Sequence, residues 1–145
     1  MIGGGPAGLM AAQVAAQAGV AVRVFDAMPS LGRKFLLAGR GGLNLTHSEP
    51  EPRFLARFGA REPQLAPLLR GFSARELRAW ADELGARTFV GSSGRVFPAD
   101  MKAAPLLRAW LQRLHAQGVR WHVRHRFTGW ASDGALRMAT PQGEV

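Results

Sequence analysis

Three observations in the first 26 residues predict an α/β fold with a parallel sheet: a glycine-rich turn, a helix directly after it, and a strand ending on an acid. The turn is Gly3-Gly4-Gly5-Pro6-Ala7-Gly8, a G-x-G-x-x-G run. In such a turn the first glycine permits a tight bend and the second lets the backbone approach a pyrophosphate. The third lets a helix pack closely on a strand. Residues 7–18 contain no Pro, no Gly after Gly8 and only one β-branched residue, Val14, so they are expected to be helical. Gly19 suits the end of that helix. Residues 20–25 (VAVRVF) form a β-branched run of strand length. Asp26 closes the strand, where the acid of a dinucleotide-binding fold accepts hydrogen bonds from ribose hydroxyls. The order predicts a three-layer, Rossmann-like unit.

Only Met1 and Ile2 precede the turn, although a buried strand normally braces it. The short lead-in is expected to mark a truncated start. Residues 1–22 carry no charge, which resembles a membrane span or a signal peptide. The n-region of a signal peptide is positive, and here no cation precedes Arg23. A span of about 20 apolar residues would not open with three glycines and a proline, or carry Gln13 and Gln17. The expectation is a non-membrane protein.

At 145 residues the chain is the size of one domain, and a 47% hydrophobic content suffices for a core. Cysteine is absent, which excludes disulfides, thiolate metal sites and Cys nucleophiles, and suits the cytoplasm. The net charge of +9 comes from 17 Arg and two Lys, Lys34 and Lys102. A basic excess invites a nucleic-acid reading. The arginines are spread from Arg23 to Arg137 rather than clustered, which argues against a dedicated nucleic-acid surface.

Residues 32–47 form a loop with four glycines (Gly32, Gly39, Gly41, Gly42) and the cations Arg33, Lys34 and Arg40, a pattern able to meet an anion. Leu36, Leu37, Leu43 and Leu45 argue that it packs rather than floats. Residues 49–67 hold four prolines and read as a loop with short helical pieces. Ser73 and Glu76 fit a capping box for a helix over 74–84, which Gly85 ends. Residues 88–90 and 95–98 are short extended pieces around the turn Gly91-Ser92-Ser93-Gly94. A helix over 101–117 stops at Gly118. Alternation over 119–127 predicts one amphipathic strand. Residues 135–138 are expected to pair with 130–131 across Ser132-Asp133-Gly134, the start of a β-meander. The whole is expected to be a single incomplete domain: 1–48 the dinucleotide motif and loop, 49–94 a mainly helical connection, 95–145 helix, strand and meander.

The stretch DAMPSLGRKFLLAGRGGLNLTHSEP, following IGGGPAGLMAA, resembles the uncharacterised-flavoprotein family of NAD(P)/FAD-dependent oxidoreductases, which includes aminoacetone oxidase-like proteins and relatives of bile-acid-inducible flavin reductases. The segment FVGSSGRVFPADMKAAPLLRAWL is similar to that family's G-R-x-F-P block and the helix after it. Family proteins are longer, so the resemblance implies an N-terminal part. It implies that FAD is the cofactor, with its pyrophosphate against Gly3, Gly5 and Gly8 and with Pro6 and Ala7 opening the helix that faces it. It places Asp26 at the adenosine ribose, in a position where the family usually has Glu. Arg33 and Lys34 match its R-K pair beside the cofactor phosphate and ribose. Gly41, Gly42 and Asn44 match its G-G-x-N element beside the flavin; Leu43 departs from the commoner G-G-R-C-N form. Phe127 aligns with an apolar position at the end of a strand whose backbone meets the adenine.

Flavin enzymes leave the redox step to the cofactor, so the reading needs no protein nucleophile or base, and no catalytic residue is assigned. Metal ligation is not expected. His122 and His125 are three apart on the expected strand and would face opposite ways. His115 lies on a helix beside no carboxylate, and only His47 is near the proposed flavin loop. Asp82 and Glu83 are helix neighbours that share no face, and Asp100 and Lys102 suit a helix start. The substrate is expected to be a small molecule. NAD(P)H as electron donor rests on the family resemblance alone. Two alternatives stand beside this: a flavoprotein that modifies RNA through a basic surface, and an inactive fragment.

Overall fold

The computed structural model describes residues 1–145. Along the chain the elements are α1 (Pro6–Gln17), β1 (Arg23–Asp26), α2 (Arg33–Ala38), β2 (Thr46–His47), α3 (Glu51–Ala56), α4 (Glu62–Gly71) and α5 (Ala74–Glu83). They continue as β3 (Thr88–Val90), β4 (Arg95–Pro98), α6 (Ala103–Ala116), β5 (Arg120–Val123), β6 (Arg126–Trp130), β7 (Leu136–Thr140) and β8 (Gly143–Glu144). The chain divides into two compact units, one of Met1–Leu37 with Trp110–Val145, the other of Ala38–Ala109.

In the first unit β1 and β5 pair in parallel, Val24 opposite Trp121 and Asp26 opposite Val123. Residues 1–3 continue the sheet on the other side of β1. Ile2 bridges Phe25 in parallel, Phe25 N–H donates to Met1 O, and Gly3 N–H donates to Phe25 O at 2.7 Å. Helix α1 buries Leu9, Ala12 and Gln13, and stops at Gly19, whose φ of 78° fits a C-terminal glycine. The α/β Rossmann-like class read from the sequence is the architecture observed. The antiparallel β6-β7-β8 sheet is the expected meander, with Trp130 opposite Leu136 across the expected turn.

One buried polar contact joins distant parts of this unit. Trp110 Nε1 donates to Gln13 Oε1 at 2.7 Å, with both residues buried. Removing one partner of a buried hydrogen bond costs more than the bond contributes net, because the other keeps its desolvation penalty. Gln13→Leu should therefore cost about 1–3 kcal/mol, read as a lower urea midpoint at constant m-value. An unchanged midpoint would show that the bond contributes nothing.

Residues 119–127 do not form the single strand expected. The strand β5 ends at Val123, β6 begins at Arg126, and Arg124 between them takes a left-handed φ of 58°. Arg124 N–H donates to Met28 O and His125 N–H to Asp26 O, so the chain turns out of the parallel sheet into the antiparallel one. Alternation of apolar residues carries no sign of this break, since a non-glycine residue in that conformation is uncommon. The histidine expectation falls with it. His122 and His125 do not face apart: their ring centroids lie 5.4 Å from each other, and both pack on Phe25, at 4.8 and 5.9 Å.

In the second unit β4 is the middle strand of an antiparallel β2-β4-β3 sheet. Residues 49–67 are more helical than their prolines suggest, with α3, a 3-10 turn at Gly59–Arg61 and the start of α4. Pro52 and Pro63 fall in first helical turns, where the missing N–H costs no bond. Helix α5 begins with the expected capping box, Ser73 Oγ accepting from Glu76 N–H and Glu76 Oε2 from Ser73 N–H at 2.6 Å. That backbone bond holds the Glu76 carboxyl below its ordinary pKa. Its support for the helix is present while Glu76 is ionised and fades as acid protonates it. No helix is long and apolar enough to cross a membrane.

Candidate functional site

The glycine turn lies in the first unit, and the structure constrains three of its four glycines, each in a different way. Gly3 has a φ of 95°, which an L side chain rarely adopts. Gly4 is boxed in: a Cβ there would collide with Leu31 Cδ2. Its N–H donates to Asp26 Oδ2 at 2.6 Å, and its carbonyl accepts from Gly32 N–H at 2.8 Å. Gly4 is the sterically constrained position that motif reading passes over, since G-x-G leaves its second residue open; the run of three consecutive glycines was the available signal. A Cβ on Gly5 would meet nothing within 4 Å. A Cβ on Gly8 would fall onto the carbonyl oxygen of Gly3.

Gly5 is also the N-cap of α1, with φ −79°, ψ 178° and no side-chain cap. Pro6 occupies the first turn at no hydrogen-bond cost, and no acid occupies that turn. The free N–H groups of Ala7 and Gly8 and the positive end of the helix dipole therefore face a position that no side chain fills. This is a cradle of the kind that accepts a phosphate.

Asp26 sits where β1 ends, as expected, and both carboxylate oxygens already serve the fold. Oδ2 accepts from Gly4 N–H, and Oδ1 from Met28 N–H at 2.7 Å. An ionised carboxylate has about four lone-pair sites, so two remain for a ligand's hydroxyls. Beyond it a cleft of 440 Å³ is lined by Ala27, Pro29, Arg124, Arg126 and Thr140 among others. It opens at the C-terminal ends of β1 and β5, the end of a parallel sheet where α/β folds bind ligands. Arg33 and Lys34 are exposed in the first turn of α2, just after Gly32, whose N–H ties that helix to Gly4. Phe127 lies in β6, its ring at 5.7 Å from Trp130 in an edge-on contact. It follows the Arg124 break and so does not end β5.

In the second unit Gly41 and Gly42 have φ of 79° and 125°. The Asn44 amide is assigned with its nitrogen donating to Thr46 O at 2.8 Å and Val96 O at 3.3 Å. The leucine argument for a packed loop holds in part: Leu43 is buried, whereas Leu36 and Leu37 are exposed. His47 is committed to structure. Its Nε2 meets Ser93 O at 3.0 Å, its Nδ1 accepts from Glu49 N–H at 3.1 Å, and its ring closes over Gly94. With Nδ1 accepting, the Nε2–H tautomer satisfies both contacts. Asp82 accepts from Thr88 N–H and Asp100 from Lys102 N–H, so both acids serve local backbone. No group of three or more His, Cys, Asp or Glu could hold a metal.

Among solved structures, the chain is similar to 3-ketosteroid-Δ4-(5α)-dehydrogenase from Rhodococcus jostii RHA1, with a TM-score of 0.71 and 16% identity. The match covers 99% of this chain and 42% of that one. It is also similar to a flavocytochrome c3 fumarate reductase, with a TM-score of 0.60, 16% identity, and 99% and 30% of the two chains covered. THI4 of Thermovibrio ammonificans gives 0.52 at 18% identity, over 95% and 43%. At these identities the likeness is one of fold, and the chain spans less than half the length of each. No curated protein matches it. The family match is of another order, covering residues 1–145 with the HI0933-like protein Rossmann domain. The flavoprotein resemblance of the glycine turn and the residue 32–47 loop thus has its counterpart over the full length, and the chain belongs to the HI0933-like Rossmann-domain family.

Proposed function

We propose that this chain is the FAD-binding portion of a flavin-dependent oxidoreductase, with Gly3–Gly8 as its pyrophosphate cradle. The observation that carries the reading is the open position above Gly5, at an uncapped helix N-terminus beside an acid that retains accepting capacity. The residues present suit a dinucleotide. The N–H groups of Ala7 and Gly8 would hold pyrophosphate oxygens, and Pro6 presets the helix start. Asp26 would accept from the ribose hydroxyls, and Arg33 and Lys34 would supply positive charge to phosphate and ribose. The backbone around Phe127 would meet the adenine in the cleft lined by Arg124 and Arg126. Gly41, Gly42 and Asn44 take the flavin end on the strength of the family resemblance. Bound FAD supplies the electron-transfer chemistry; this chain binds, orients and shields it. The small-molecule substrate, NAD(P)H as electron donor and a cytoplasmic location belong to this reading as well.

The test is the visible spectrum of the purified chain before and after incubation with FAD and removal of free ligand. Retained absorbance at the flavin bands, lost on competition with ADP but not with FMN, is the expected result. A colourless chain that takes up no FAD would overturn the proposal.

A further inference from the structure

The G-R-x-F-P block and the residues after it have no assigned role, yet the second unit folds them against the glycine loop. A Cβ on Gly39 would collide with Ala103, and a Cβ on Gly42 would come within 2.7 Å of Met101 Cε and 3.8 Å of Phe97 Cε1. Leu43 N–H donates to Met101 O at 2.9 Å, and Leu45 N–H to Val96 O at 2.8 Å. Asn44 reaches the same Val96 carbonyl through its side chain. Residues 39–45 are thus stitched along residues 96–103 by backbone bonds and by glycines that allow close approach.

Met101 is the unusual member of this seam. Its φ is 61°, one of two left-handed values among the non-glycine residues. Its N–H donates to Pro98 O at 2.9 Å while its carbonyl accepts from Leu43. A left-handed conformation costs an ordinary residue free energy and persists where the surroundings over-determine it, often beside functional sites. Here it aims one carbonyl at the loop and lays the side chain over Gly42.

We infer that Met101 is a positioning residue: its left-handed backbone holds Gly41, Gly42 and Asn44 in the conformation that meets the flavin. This rests on the FAD reading above. It also makes Gly42 and Met101 a matched pair, since a side chain at 42 would occupy the space that Met101 fills.

The test compares Met101→Val, Met101→Ala and Met101→Gly in the whole chain. Valine is β-branched and fits a left-handed backbone poorly, whereas glycine adopts it freely. Without cofactor, Met101→Val should speed hydrogen exchange at the Leu43 amide about tenfold and hasten tryptic cleavage after Arg40. Met101→Ala keeps a Cβ that bears the same left-handed cost as methionine's, so it and Met101→Gly should both match the wild type. With FAD, Met101→Val should weaken binding by a similar factor and alter the bound flavin's absorbance envelope, which loss of packing alone would leave in place. Wild-type exchange at Leu43 in Met101→Val would sink the inference. So would Met101→Gly proving as damaging as Met101→Val, because the side chain and not the backbone would then matter. A wild-type chain that takes up no FAD refutes the cofactor reading instead, and the exchange comparison still decides whether Met101 holds the loop.

Discussion

Gly5→Ala should abolish tight FAD binding while barely changing stability, and Gly8→Ala should do the reverse in order of severity. At Gly5 the backbone is ordinary, φ −79°, and a Cβ meets nothing within 4 Å. The folded chain accommodates the methyl at a cost below about 1 kcal/mol, most of it from the poorer N-cap. A pyrophosphate needs that same space, so the affinity should fall about 100-fold or more, a loss of roughly 3 kcal/mol. At Gly8 the new Cβ falls on the carbonyl oxygen of Gly3, which is backbone and cannot swing aside. Alanine's better helix propensity is worth up to about 1 kcal/mol, and overpacking costs about 1–3 kcal/mol or more, so the clash wins. Urea midpoints and FAD titrations on both variants check this. Equal effects of the two substitutions on binding and on stability would show that the turn is merely a tight bend.

Asp26→Ala is expected to have the second largest effect, because one side chain serves the fold and the ligand together. The substitution leaves Gly4 N–H and Met28 N–H without their acceptor. Bonds to a charged acceptor contribute about 1.5–3 kcal/mol each, less where water can replace it, as at the exposed Met28. A net loss of about 2 kcal/mol is expected by urea denaturation, together with a fall in FAD affinity of about 100-fold. Asp26→Asn separates the roles. Its single carbonyl oxygen can keep the Gly4 bond, so stability should recover more than affinity does. If Asn restored both in full, charge at this position would be irrelevant to the cofactor.

The first 26 residues were legible because their determinants are local. The turn, α1, the C-terminal glycine, β1 and its acid follow one another, and each has a steric or capping reason visible in sequence. The capping box at Ser73 and Glu76 was readable for the same cause. What escaped was set by distant partners or by rare backbone states. Nothing in Val123-Arg124-His125 signals a left-handed arginine, so one strand was expected where two exist, and two histidines expected to face apart converge on Phe25. The leucines of residues 32–47 suggested a packed loop, yet its anchors are Val96, Met101 and Ala103, more than 50 positions away. Gly4 escaped because its constraint is Leu31, outside the motif.

The most direct measurement is a titration of the isotopically labelled chain with ADP, following backbone amide shifts. Binding at the cradle should move Ala7 and Gly8 most, with Gly4 and Met28 responding through Asp26, while the amides of Arg23 and Arg120, at the opposite ends of β1 and β5, stay in place. Saturable shifts confined to that set would place the pyrophosphate at the glycine turn. An unchanged spectrum at millimolar ADP, or shifts that leave Ala7 and Gly8 untouched, would contradict the assignment of this turn as the cofactor's cradle.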